Sequence, residues 1–308
     1  MRASRLASRL ALIPAGALLG LLLLEGLLQL GALAVRASGW TPPAAWLTGN
    51  RRVLCLGDSN TYGLYLSDRA QAYPQTFETL WNATAGAPRI EVLNLGYPGT
   101  NSSRLRRDLP RMLETFAPDV AIIMVGSNDY WTAAVDVAPP PGVVSRFVQG
   151  VKRGSRLYQL AYMLRRALSS DQLEVAYDPR ANGGAVGTAR YGDAEFSMGY
   201  ERAPREPAQY REHLDANLRA LVDEVRRFGA TPVLMTYASR QWNYGEASHV
   251  IRRVARATGT RLVDAAEALA VACPKEPCPA YLYGDHHPTA RGYHLMAEAL
   301  VRELKGSL

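Results

Sequence analysis

Val53-Leu54-Cys55-Leu56-Gly57-Asp58-Ser59-Asn60 is the stretch on which the fold turns. Four apolar residues in unbroken succession, closed by a glycine, read as a short buried strand. The residues that follow, through Thr61-Tyr62-Gly63, supply the loop that leaves it. Ser59 then stands at the C-terminal edge of a strand, which is where open α/β sheets place their sites.

Outward from this strand the chain alternates between two patterns. Further strand-like runs lie at Ile90–Leu93, Val120–Val125, Pro232–Thr236 and Arg261–Val263. Helical periodicity marks Gln71–Trp81, Ser103–Phe116, Tyr210–Phe228, Ala247–Thr258 and Thr289–Leu304. Strands alternating with helices give βαβ units, hence a five-stranded parallel sheet with right-handed crossovers and helices on both faces, a three-layer α/β/α sandwich. One region breaks the rhythm. Trp131 to Pro207 carries Pro139-Pro140-Pro141-Gly142 and a glycine-rich stretch from Ala181 to Gly187, and it reads as an insertion at the rim of the site.

The 308 residues suffice for one large domain, and 48% hydrophobic with 20% charged residues is a globular composition. The formal net charge of +7 rests almost wholly on arginine, since the lysines are Lys152, Lys275 and Lys305 alone. No compact basic run interleaves with aromatics, so nucleic acid is not an expected partner. Part of the charge has another reading: Arg2, Arg5 and Arg9 precede an apolar stretch from Leu10 to Val35 interrupted by Pro14, Glu25 and Gln29. Its length matches the roughly 20 residues a membrane helix needs and exceeds the apolar core of a cleaved signal. The expected organisation is a cytoplasmic N-terminus at 1–9, a transmembrane signal-anchor at 10–35, a linker at 36–50 and an exported domain at 51–308. Ala32-Leu33-Ala34 has the form of a cleavage site, so a cleavable signal is the alternative, and both readings export the domain. Glu25 is costly in hydrocarbon and calls for a partner helix, protonation or a place near the interface.

Cys273 and Cys278 bracket a short proline-flanked loop that an oxidising compartment could close as a disulfide. Cys55, inside the first strand, reads as a buried structural thiol. Two cysteines without paired histidines make a poor zinc set, and neither a metal nor a cofactor is expected.

The strand ends gather chemistry in chain order. After the first comes Gly57-Asp58-Ser59, after the second Asn94-Leu95-Gly96-Tyr97-Pro98-Gly99, and after the third Gly126-Ser127-Asn128-Asp129. Asp285-His286-His287-Pro288 precedes the last helix. With Gly57-Asp58-Ser59-x-x-x-Gly63, Gly96, Gly126-x-Asn128-Asp129 and His287-Pro288 in this order, the chain resembles the SGNH, or GDSL-like, hydrolases over essentially everything after residue 50. The resemblance implies a flavodoxin-like sheet and a serine esterase. It implies Ser59 as nucleophile, His287 as general base and Asp285 as its partner. The oxyanion donors would be the backbone N–H groups of Ser59 and Gly96 and the side-chain amide of Asn128. Asp129 is expected to tie its loop together by hydrogen bonds.

One departure concerns the carboxylate. The usual last block has aspartate three residues before the histidine, where this chain has Gly284, and Asp285 stands two before it. A Ser59–His287 dyad with a backbone carbonyl as orienter, or His286 as base, are the alternatives. A Gly-x-Ser-x-Gly elbow is missing because Thr61 replaces its last glycine, which disfavours an α/β-hydrolase. Between Ser145 and Leu168 the insertion has Arg146, Lys152, Arg153, Arg156, Arg165 and Arg166 and no acid, so a helix there would suit an anionic surface or polysaccharide, or simply a solvated face. The expectation is a membrane-anchored esterase acting on an acyl ester of a carbohydrate or lipid. An O-acyltransferase acting on an envelope polysaccharide, or a catalytically silent envelope-binding module, are its alternatives.

Overall fold

The computed structural model describes residues 2–38, 51–130, 151, 155–158, 160–161, 173–178, 186–191, 194–198, 207–275 and 277–306. The chain divides into two compact units, Met1–Gly49 with Pro140–Ser170 and Asn50–Pro139 with Asp171–Leu308. In the larger unit, strands β1 (Arg51–Gly57), β2 (Ile90–Gly96), β3 (Val120–Met124), β7 (Thr231–Met235) and β8 (Arg261–Val263) form one parallel sheet in the order β2-β1-β3-β7-β8. Val53 to Leu56 and Ala121 to Met124 are entirely buried, as expected of strands covered on both faces.

Helices α3 (Tyr73–Asn82) and α8 (Ala290–Leu304) pack on each other, while α4 (Ser102–Phe116), α5 (Pro207–Phe228) and α6 (Trp242–Thr258) pack in succession. A further helix, α7 (Ala265–Ala272), was not foreseen; Asp264 caps it by accepting from Glu267 N at 3.1 Å. Apart from Glu267 its residues are all alanine, leucine or valine, and so uniform an apolar run leaves little helical period to read.

The register of the sheet positions the site. Gly57 at the end of β1 pairs with Gly96 at the end of β2 and with Met124 at the end of β3. Three strands therefore end level, and the loops that follow them emerge side by side.

Inside the interrupted region, where no strand is expected from the sequence, β4 (Leu173–Asp178), β5 (Val186–Tyr191) and β6 (Ala194–Met198) form a second, antiparallel sheet in that order. The missed signal is Asn182-Gly183 between two candidate runs, a dipeptide suited to a hairpin connection. Of the basic helix expected between Ser145 and Leu168, residues 151, 155–158 and 160–161 are described and are helical apart from Ser155; the rest lies outside the described residues.

In the smaller unit, α1 (Arg2–Ser38) is one continuous helix whose Gly16–Ala34 stretch, with mean hydropathy 2.0, is long and apolar enough to cross a membrane or to act as a signal sequence. Residues 39–50 of the expected linker lie outside the described residues. Glu25 does meet a partner segment: its carboxylate accepts from Ser155 Oγ at 2.9 Å, Arg156 N and Leu157 N at 2.8 Å each, and Gln29 Nε2 at 2.7 Å. Cys273 and Cys278 are joined as a disulfide, and Cys55 is buried, its thiol pushed up in pKa by loss of solvent.

Candidate active site

Ser59 opens a single helical turn, α2 (Ser59–Tyr62), directly after β1. Asp58 caps that turn by accepting from Asn60 N at 2.9 Å, and Gly63, at φ 90°, closes it with its N–H on Ser59 O at 3.1 Å. The backbone thus reverses within five residues and holds Ser59, 8% exposed, at the strand end. From the opposite end of the chain, His287 Nε2 lies 2.8 Å from Ser59 Oγ. Its other ring nitrogen, Nδ1, lies 3.0 Å from Asp285 Oδ2, and the backbone N–H of His287 donates to Asp285 Oδ1 at 3.2 Å. The two-residue spacing therefore reaches, because the turn folds Asp285 back over its own histidine. His286 faces elsewhere, with φ 68° and Nδ1 3.2 Å from Ser239 Oγ.

The geometry corrects one expected oxyanion donor. Gly96 N–H is spent on Asn94 Oδ1 at 3.0 Å, and Asn94 Nδ2 is in turn held by Gln75 Oε1 at 3.2 Å. β2 runs through residue 96, so this amide still belongs to the strand end rather than to the loop. What demands glycine there is space: a Cβ would stand 2.1 Å from Tyr62 N. The loop itself begins at Tyr97, whose N–H donates to Gly57 O at 3.0 Å, and turns through Gly99 at φ 80° before Thr100 N–H closes on Tyr97 O at 3.1 Å. The N–H of Gly99 has no hydrogen-bond partner among the described residues. Asn128 sits in a 3-10 turn, Ser127–Tyr130, and its Nδ2 donates to Thr100 O at 3.1 Å, which fixes the plane of the amide against the Gly99 turn. Asp129, as expected, ties loops together: it is buried and accepts from both the N–H (2.9 Å) and the hydroxyl of Ser102.

Residues 55–295 match the family model of the GDSL-like lipase/acylhydrolases. The chain belongs to that family. No curated protein matches it. Among solved structures it is similar to the lipase/acylhydrolase from Enterococcus faecalis (18% identity, TM-score 0.50, covering 83% of this chain and 96% of that one). It is equally similar to Axe2, an acetylxylan esterase from Geobacillus stearothermophilus (18% identity, TM-score 0.50, covering 83% and 95%). At such identities the likeness is one of fold.

Two features of this GDSL-like site escaped the sequence reading. The first is the load on Asp58, which is fully buried. Its Oδ2 accepts from Tyr237 OH at 2.6 Å and from Ser127 Oγ at 2.7 Å, so one carboxylate joins the ends of β1, β3 and β7. Burial pushes its pKa up, opposed by the Tyr237, Asn60 and Ser127 hydrogen bonds and by the field of His287. Tyr237 carried no motif; only the packing of β7 against β3 brings it to Asp58. Asp58→Ala would strand three buried donors at once. With about 1–3 kcal/mol for each unsatisfied group, a loss of at least about 3 kcal/mol is expected in denaturant melts, together with loss of activity.

The second is a rim of tyrosines. Tyr65 meets the His287 ring edge-on, with centroids 5.3 Å apart, and Tyr244 does so at 6.2 Å. Burial works against ionisation of Asp285, but facing His287, the His287 N–H and the Tyr65 hydroxyl together hold its carboxyl below the usual carboxylate range. A depressed carboxylate contributes stability that is present above its unfolded pKa and lost as pH falls through the folded one. Melting temperatures of Asp285→Asn should therefore fall less steeply than those of the wild type as pH drops below about 4.

Proposed function

We propose that this chain is a membrane-anchored serine esterase that hydrolyses acyl esters of a carbohydrate or lipid through an acyl-enzyme on Ser59. The observation that carries the reading is the continuous relay from Ser59 Oγ to His287 Nε2 at 2.8 Å and from His287 Nδ1 to Asp285 Oδ2 at 3.0 Å. As Ser59 Oγ bonds to the acyl carbon, its proton passes to His287 Nε2 and the carbonyl electron pair moves onto oxygen. The oxyanion is received by the N–H groups of Ser59 and Gly99 and by Asn128 Nδ2, with Gly99 replacing Gly96 in the role first assigned to it. Collapse expels the alcohol, which takes the proton from His287. Water then adds to the acyl-Ser59 ester by the same base and releases the carboxylic acid.

For the membrane, the arginines in the first turns of α1, ahead of its apolar stretch, favour a cytoplasmic N-terminus and an extracytoplasmic catalytic unit, and the Cys273–Cys278 bridge suits an oxidising compartment. Retention of α1 as an anchor is supported by Glu25, whose contacts with Ser155, Arg156 and Leu157 a cleavage after Ala34 would remove. The carbohydrate reading draws on Axe2, an acetylxylan esterase of the same fold.

The test is labelling of the full chain by a fluorophosphonate together with turnover of acetyl esters, with and without oligosaccharide acceptors. Labelling at Ser59 with release of free acid is the expected result. Transfer of the acyl group to the sugar would make the enzyme a transferase. A folded protein that neither labels nor turns over would sink the reading in favour of a binding module.

A further inference from the structure

Asn128 can receive an oxyanion only if its amide is held in place before the charge develops. What holds it is the start of α4, which meets the Asn128 turn twice. Asn128 Nδ2 donates to Thr100 O at 3.1 Å, and Asp129, the next residue, accepts from Ser102 N–H at 2.9 Å and from the Ser102 hydroxyl. We propose that Asn217 of α5 is a positioning residue for Asn128, its amide clamping Ser102 and Ser103 and, through Ser102 and Asp129, fixing the turn that carries the oxyanion donor. This deepens the esterase reading and rests on it.

Hydrogen-bond chemistry sets the direction of the clamp. Arg106 Nη1 donates to Asn217 Oδ1 at 3.2 Å, and a guanidinium can only donate, so Oδ1 is the acceptor and the two N–H groups of Nδ2 face the serines. Nδ2 lies 2.8 Å from Ser102 Oγ, 3.2 Å from Ser103 Oγ and 3.0 Å from His213 Nε2. Ser102 Oγ accepts from Asn217 and gives its own proton to Asp129, because an ionised carboxylate only accepts. The order is therefore Asn217 to Ser102 to Asp129, and Asp129 adjoins Asn128 in the chain. On the other side Ser103 Oγ and His213 Nε2, 2.6 Å apart, close the cluster. Ser102, Ser103, Asp129 and Asn217 are all buried. Apolar side chains would join α4 to α5 without the cost of desolvating so many polar groups. Nor does the N-terminus of α4 depend on Asn217, since Asn101 Oδ1 already caps it by accepting from Arg104 N–H at 2.8 Å. What a satisfied polar network adds is one fixed arrangement of the groups it joins.

The experiment uses the full chain in detergent with p-nitrophenyl acetate, with rates taken per site labelled to completion by a fluorophosphonate. Asn217→Ala should lower kcat about tenfold, short of the roughly 10²–10³-fold that deleting an oxyanion donor costs. KM should stay within about twofold, because the oxyanion forms in the transition state and not in the bound ester. Ser102→Ala removes only the relaying hydroxyl, keeps the N–H bonded to Asp129, and should reproduce the loss. Added to Asn128→Ala, neither change should cost anything further, because the group they position is gone. Wild-type kcat in either variant overturns the proposal, as does an undiminished loss on top of Asn128→Ala or a raised KM at unchanged kcat. A loss of rate that vanishes when counted per labelled site also overturns it, since the cluster would then serve folding alone. A wild type that neither labels nor turns over would sink the esterase reading and this role with it; an active wild type with unaffected variants would sink the role alone.

Discussion

Ser59→Ala should abolish ester turnover, with kcat down by about 10⁶-fold, and His287→Ala should do the same, while the double variant is scarcely worse than either. The non-additivity is the point. Ser59 Oγ and His287 Nε2 are 2.8 Å apart and act on one proton, so removing either ends the same step. Residual rate above water would come from the donors around the oxyanion, which neither change touches. The fold should survive both, since Ser59 lies at the mouth of the site and the His287 turn is held by backbone bonds from Tyr283 N–H to His287 O at 2.8 Å and from Thr289 N–H to Tyr281 O at 2.8 Å. Initial rates on an acetyl ester, with circular dichroism as the folding control, decide it. Turnover surviving both changes would remove these residues from the chemistry.

Asp285→Asn is expected to lower kcat by about 10⁴-fold, with a modest loss of thermal stability at neutral pH that disappears as the pH falls below about 4. Asparagine fits the same space, but its amide group facing Nδ1 favours the tautomer that puts the imidazole proton on Nε2, where Ser59 needs an acceptor. It also removes the charge that stabilises the imidazolium formed as serine attacks. A rate close to wild type would instead make the site a Ser59–His287 dyad and would reduce Asp285 to a structural member of its turn.

Much of this was legible in the chain because it depends on local chemistry. The apolar run at Val53–Leu56 is fully buried in the sheet, and the helical periods at Ser103–Phe116 and Tyr210–Phe228 fall within α4 and α5. Burial on both faces leaves such strands no polar residues to disguise them. The insertion was less readable: its strands are short, are joined through segments rich in glycine, and pair with each other rather than with the main sheet. In the site, the choice of His287 over His286 followed from its neighbour Pro288. The choice between Gly96 and Gly99 could not be made from sequence, because both are glycines in one loop-like stretch and only the path of the backbone tells a steric requirement from an exposed N–H.

By itself the sequence determined the order of the five main-sheet strands and of the long helices between them, the apolar helix at the N-terminus and the identity of the residues at the strand ends, since each is set by periodicity or by a motif a few residues long. The tertiary structure alone decided how those residues meet. The level endings of β1, β2 and β3 set the loops side by side, the turn at Asp285 lets a two-residue spacing reach its histidine, and Asp58 binds Ser127 and Tyr237, which lie far from it along the chain. Contacts of that kind depend on sheet register and backbone reversal, which the pairing of distant segments fixes and which no local pattern records.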